Sequence, residues 1–147
     1  VVFQGQLYAG GFSGSDPGSD VYRHVARYDG VQWQPVGGGV QAANPQAPVF
    51  VSAFTVHDSA LYAGGQFGRA GNVAASGIAR WDGTQWTALG NGIAAGGSVS
   101  ALASFAGTLV AAGDFEVQQD ATTIRRLARW DGRTYSRVGS SGVDTVE

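Results

Sequence analysis

Few residues in this chain are of the types that do chemistry, and their spacing decides which chemistry is open to them. His24 and His57 are its 2 histidines. One precedes Val25-Ala26-Arg27 and the other begins the turn-like His57-Asp58-Ser59, so they hold different places in the sequence pattern. They read as surface residues, not as a metal pair. Asp16 and Asp20, in Ser13-Gly14-Ser15-Asp16-Pro17-Gly18-Ser19-Asp20, carry oxygens that suit calcium. Their spacing matches no calcium loop, however, and Gly-Ser-Asp-Pro is ordinary turn composition. Asp58, Asp114, Glu116 and Asp120 are carboxylates available for acid–base work, yet nothing recurrent sets two of them against each other. No Gly-x-Ser-x-Gly elbow occurs, and the absence of cysteine removes thiol nucleophiles, disulfides and thiolate metal sites. Accordingly no catalytic, cofactor or metal residue is assigned. Arg27, Arg80 and Arg129 recur, each two residues before an Asp-Gly pair. Recurrence of that kind speaks for structure, a bond to a backbone carbonyl or to a carboxylate of the adjacent unit.

The elements that would position any site follow from that same recurrence. Ile78-Ala79-Arg80-Trp81-Asp82-Gly83-Thr84-Gln85-Trp86 is echoed by Val25 to Trp33 and by Leu127 to Tyr135. Two aromatic-bearing runs joined by Asp-Gly predict a tight hairpin with a type I′ turn. On that reading Trp81 pairs with Thr84, Arg80 with Gln85 and Ala79 with Trp86, a small residue opposite a large ring. The Asp-Gly pairs are spaced 53 and 49 residues apart. A second landmark keeps step: Leu7-Tyr8-Ala9-Gly10-Gly11, Leu61-Tyr62-Ala63-Gly64-Gly65 and Leu109-Val110-Ala111-Ala112-Gly113. Its last glycine precedes the next Asp-Gly by 18, 17 and 18 residues.

A period of about fifty residues with only strand signals predicts an all-β fold, a β-propeller built of four-stranded antiparallel blades. Three blades are present, over approximately 1–40, 49–93 and 97–143, and residues 1–147 read as one propeller region. Propellers typically close with about four to eight blades. Three therefore predict part of a larger ring, or several chains closing one together. A start at Val1 and the lack of Met likewise read as a mature piece or a fragment. Parity places the short turns at one end of the blades. The long connections, Phe12 to Tyr22, Phe67 to Ser76, Phe115 to Thr123, Gly37 to Pro48 and Gly90 to Ser98, emerge at the other, where binding is expected. Charged residues make up only 14% of the chain and the net charge is −2, which argues against nucleic acid or an anionic membrane as partner. No apolar run is long enough to insert in a membrane.

Leu61-Tyr62-Ala63-Gly64-Gly65-Gln66-Phe67, then Ile78 to Trp86, then Leu89-Gly90 resembles the kelch-like propeller repeats of secreted and surface-attached bacterial proteins, and is similar to the repeats of a fungal cell-cortex marker. The resemblance covers almost the whole chain. It departs at Ala112, where kelch repeats carry a second glycine, and at Tyr135, which stands for a second Trp. It implies a six- or seven-bladed ring, an extracellular or cell-envelope setting, and a non-enzymatic structural or interaction module that binds a protein or glycan. It transfers no catalytic residue, because the copper-ligand set of the oxidase members is missing. The other readings open to the sequence are a carbohydrate-active enzyme, hydrolase or lyase, and a self-assembling multi-chain propeller.

Overall fold

The computed structural model describes residues 1–11 and 23–139, and their secondary structure is entirely strand and turn. With no helix among them, none is long and apolar enough to cross a membrane. Strand β1 (Val2–Phe3), β2 (Gln6–Gly10), β3 (Val25–Tyr28) and β4 (Trp33–Pro35) form a first sheet in sequence order. β5 (Val40–Gln41) follows. β6 (Phe50–His57), β7 (Ala60–Gln66), β10 (Ile78–Trp81) and β11 (Trp86–Ala88) form the second sheet. Between β7 and β10 the chain makes a small hairpin of β8 (Arg69–Ala70) and β9 (Val73–Ala74), and β8 pairs with β5 in a separate three-stranded sheet. The third sheet is β12 (Ser98–Phe105), β13 (Thr108–Gln119), β14 (Thr122–Trp130) and β15 (Tyr135–Arg137). Neighbouring strands within these sheets run antiparallel.

The Asp-Gly turns are longer than the sequence predicts. Trp81 pairs with Trp86, Arg80 with Thr87 and Ala79 with Ala88, so four residues, Asp82 to Gln85, make the loop. The carboxylate is the reason. Asp82 Oδ1 accepts hydrogen bonds from the backbone of Thr84 at 2.8 Å and of Gln85 at 2.9 Å, standing in for a chain partner. Asp29 and Asp131 do the same for their own turns. Within each loop only the glycine has positive φ, +102° at Gly30, +107° at Gly83 and +100° at Gly132, whereas a type I′ turn needs it at both central residues. Because the register differs from the predicted one by two residues, every side chain keeps its face. The aromatics therefore meet ring to ring instead of ring to alanine, with centroids 5.4 Å apart for Tyr28 and Trp33, 5.1 Å for Trp81 and Trp86, and 4.6 Å for Trp130 and Tyr135. Ala79 lies opposite Ala63 and Ala88.

Alternation along β7 and β10 then fixes how the sheets stack. Leu61, Ala63, Ala79 and Trp81 join a core cluster with Phe3, Tyr8, Val25 and Val36 of the first sheet and its exit. Their neighbours Ala60, Tyr62 and Ile78 join a second cluster with Val99, Leu109, Ala128 and Trp130 of the third sheet. The second sheet is thus buried on both faces. The paired glycines are explained by close approach: a Cβ at Gly64 would lie 2.6 Å from Val99 of the third sheet, and one at Gly65 would collide with the Phe50 carbonyl where β6 bulges between Val51 and Ala53. Gly113 faces the equivalent Ser98 carbonyl and must stay glycine. Ala112, at the position of Gly64, has no further four-stranded sheet against it among the described residues.

Candidate binding cleft

The long connections expected to be binding loops are largely folded into the seams between sheets. Residues 67–76 contain β8 and β9, and Phe67, Ala70 and Ala75 are buried in the first core cluster with Val40 of β5. Residues 115–123 continue β13 and β14 as a ribbon, with the pairing interrupted between Ala112 and Glu116, and Phe115, Val117 and Ile124 are buried in the second cluster. The ribbon folds back far enough for Gln119 Oε1 to accept a hydrogen bond from the Tyr135 backbone at 3.1 Å. Burial of these apolar residues is what draws the segments down. The segment from Phe12 to Tyr22, with Asp16 and Asp20, lies outside the described residues.

Among the described residues a cleft of about 420 Å³ lies open at this end, lined by Ala94 to Gly97 on one side and by Asp114, Phe115, Glu116, Arg125 and Arg126 on the other. The linker is pinned beside the ribbon by Ala94 N–H donating to the Glu116 carbonyl at 2.7 Å, and turned by Gly97 N–H donating to the Ala94 carbonyl at 3.1 Å. In the second unit the corresponding crossing has Gly68 N–H donating to the Gln41 carbonyl at 2.8 Å, and it is shut, because a Cβ on Gly68 would lie 2.5 Å from the Ala43 backbone. Glu116 replaces Gly68, and a full side chain there holds the crossing open.

Two carboxylates and two guanidinium groups meet at this cleft, so its local charge balances. Arg125 Nε donates to Glu116 Oε1 at 2.7 Å. That bond and the opposite charge of Glu116 raise the Arg125 pKa. Both side chains are exposed, so solvent screens the pair and it adds little to stability. Arg126 has φ +62°, the left-handed region, at the position where Gly77 has +68° and His24 has +70°. His24 and Gly77 stand just before β3 and β10 and Arg126 stands inside β14, each one residue before the recurrent apolar-Ala-Arg run, and Arg126 takes this conformation without being glycine. Asp114 and Glu116 offer acceptors, Arg125 and Arg126 donors, which suits a ligand rich in hydroxyl groups.

The other candidates lie elsewhere. Asp58 is at the opposite, short-turn end, and Asp120 is exposed at the ribbon tip, accepting from Gln119 Nε2 at 3.4 Å. His57 is buried, against the expectation of a surface residue: its Nδ1 lies 2.7 Å from Ser104 Oγ of the third sheet and its Nε2 3.3 Å from Asp58. His57 ends a strand that packs on β12, and this tertiary contact overrides its turn-like sequence. His24 is half-buried before β3. Among the described residues no three of His, Asp and Glu converge as metal ligands. The recurrent arginines bond within their own sheets: Arg27 to Gln6 Oε1 at 3.3 Å, Arg129 to the Arg137 carbonyl at 3.3 Å, and Arg80 to the phenol of Tyr62. Burial, the larger effect, raises the pKa of that phenol in spite of Arg80. Arg125 and Arg126 were not singled out by sequence. The available signal was Glu116 where the aligned unit has Gly68. No protein-family model matches the chain, and no curated protein matches its sequence.

Proposed function

We propose that the three four-stranded sheets are blades of a kelch-like β-propeller, and that the chain is a non-enzymatic interaction module of the cell surface or envelope. Its cleft beside residues 94–97 takes a neutral, hydroxyl-rich ligand such as a glycan. The observation that carries this reading is the cleft itself, in which Asp114, Glu116, Arg125 and Arg126 supply acceptors and donors with no net charge. Stacked sheets supply the rigidity: the ribbon and linker that form the walls are anchored in the second core cluster through Phe115, Val117 and Ile93. The envelope setting rests on the resemblance to kelch-like repeats of surface-attached proteins.

Titration of the chain with neutral and anionic oligosaccharides, followed by calorimetry, tests the reading. Arg125→Ala and Glu116→Gln should each weaken binding by roughly 10-fold, the scale of one charge-assisted hydrogen bond. Asp58→Asn, at the far end, should leave it unchanged. Failure of every neutral oligosaccharide to bind, or equal loss from Asp58→Asn, would sink it. A second reading draws on Asp114 and Glu116 sharing one cleft, which is what a carbohydrate-active enzyme requires. Cleavage of the bound oligosaccharide by the native chain, lost in Asp114→Asn, would favour that reading.

A further inference from the structure

The second seam carries polar groups where the first is apolar. With the units lined up on Leu7, Leu61 and Leu109, the residue ending the first strand of each sheet is Phe3, His57 and Phe105, and the one before it is Val2, Val56 and Ser104. The first seam thus has Phe3 and Val56 at the positions that are His57 and Ser104 in the second. Phe3 meets the Tyr8 ring at 5.8 Å and 63°, and His57 meets Tyr62 at 5.9 Å and 58°. A phenyl ring already satisfies this packing, so His57 adds only its two nitrogens. Asp58 is likewise not demanded by its turn: it has φ +46°, where Gln4 and Ala106 both have +49°.

These three additions meet. Ser104 Oγ lies 2.7 Å from His57 Nδ1, and Asp58 Oδ2 lies 3.3 Å from His57 Nε2. A carboxylate only accepts, so Nε2 carries the proton of a singly protonated ring. Nδ1 is then left with its lone pair, and the Ser104 hydroxyl must donate to it. In this arrangement an imidazole can take the proton from an attacking hydroxyl. The bulge between Val99 and Ala101 turns Ser104, like Leu102, towards the second sheet. Ser104 is therefore exposed at the rim of the seam, not on the far face of the third sheet.

We propose that Ser104 is an acyl-acceptor site, modified by an activated ester. Ser104 Oγ bonds to the ester carbonyl carbon while its proton passes to His57 Nδ1. The tetrahedral intermediate then collapses, the bond to the leaving oxygen breaks with its electron pair, and the proton on Nδ1 departs with the alcohol. Nε2–H stays on Asp58, a positioning residue that holds the ring and steadies its transient positive charge. The products are a serine ester and an alcohol, with no change of oxidation state. His57 is only 8% exposed, which keeps water from Nδ1 and retains the ester, so the module is modified and does not turn over. The site lies at the short-turn end, opposite the cleft, and is independent of the ligand bound there.

Incubation of the 147-residue chain with p-nitrophenyl acetate, followed by peptide mapping, tests the proposal. The expected result is a single release of nitrophenol and an acetyl group on Ser104, absent from the chain unfolded in urea. His57→Phe copies Phe3 and Phe105, so it should keep the native circular dichroism while slowing acetylation of Ser104 by roughly 100-fold, as loss of a general base does. Asp58, whose side chain is 79% exposed, gives a second variant that keeps the fold. Asp58→Asn should slow acetylation less than His57→Phe, and Asp58→Glu should restore it, a rescue that a packing role would not produce. A folded native chain with no acetyl on Ser104 overturns the proposal, as does a rate equal to that of His57→Phe or of the unfolded chain. Steady release of nitrophenol with Ser104 left free overturns the retained ester.

Discussion

The seam between the first and second sheets and the seam between the second and third use the same positions but differ in slack. The first closes on two tryptophans, each donating from its indole: Trp81 to the Tyr8 hydroxyl at 3.3 Å and Trp86 to the Val36 carbonyl. Gly37 lies so close beneath them that a Cβ would collide with Trp81 and sit 2.9 Å from Trp86. In the second, Tyr135 replaces a tryptophan, and a Cβ on Gly90 would find Trp130 at 3.4 Å and Tyr135 at 3.6 Å, ordinary contact. Burial raises the Tyr135 pKa and keeps its hydroxyl a donor to Leu89. The repeat conserves the hydrogen bond to the preceding exit while varying the ring that makes it. A seam of this design tolerates a smaller ring, provided that the ring still ends in a donor.

Truncating the rings should break the comparison most visibly. Trp86→Ala should cost about 3–5 kcal/mol in denaturant unfolding, the usual range for a large buried aromatic. Tyr135→Ala should cost less, because the third sheet has an open side toward which it can relax. Equal losses would show that both seams are equally tight. Adding a single methyl sharpens the contrast. Gly37→Ala combines overpacking with a left-handed backbone and should cost roughly 2–4 kcal/mol, while Gly90→Ala pays about 1 kcal/mol for φ alone. If Gly90→Ala proves as damaging as Gly37→Ala, the difference in slack is wrong.

The smallest effect belongs to the turns that hold the rings in register. Backbone hydrogen bonds from Gln85 and Thr84, with the Thr84 hydroxyl, lower the Asp82 pKa from its ordinary 3.8 to about 2. A depressed folded-state pKa adds stability that is fully present above the unfolded value and fades as pH falls from about 4 towards 2. Asp82→Asn should flatten the fall in melting temperature over that window and leave the midpoint slope above pH 5 untouched. An unchanged acid profile would remove Asp82 from the account. Asp29 and Asp131 are lowered by the same kind of backbone bonds and should act in the same direction.

Much of the scaffold was legible because it rests on local and repeated chemistry. Asp-Gly marks each hairpin, and Gly64-Gly65 marks the place where a bulged strand and the next sheet press on the backbone. The length of the Asp-Gly turn was not legible, since Asp-Gly composition serves a two-residue loop and a carboxylate-capped four-residue loop alike. Residues 67–76 looked like loop because their glycines and alanines are small. Those small residues are what let the hairpin lie flat on Trp86, with a Cβ on Gly71 only 3.2 Å from its ring. The cleft depends on Glu116 failing to be the glycine of the neighbouring unit, a difference with meaning only once the crossing at Ala94 is seen. Nor does Asp114 to Glu116 look different from any charged strand end until the ribbon bends over it.

The capped Asp-Gly turns also bear on how the chain ages. Among aspartyl sequences Asp-Gly is the most given to cyclising: the glycine backbone nitrogen attacks the aspartate side-chain carboxyl carbon, water is expelled to leave a succinimide, and hydrolysis of that ring yields isoaspartate. That attack goes faster through the protonated acid and needs a side chain free to swing over its own backbone. In Asp29, Asp82 and Asp131 the carboxylate is kept ionised and tethered forward to the backbone two and three residues on. Folding therefore shields three inherently labile bonds, and isoaspartate accumulating at these sites is a chemical record of time spent unfolded.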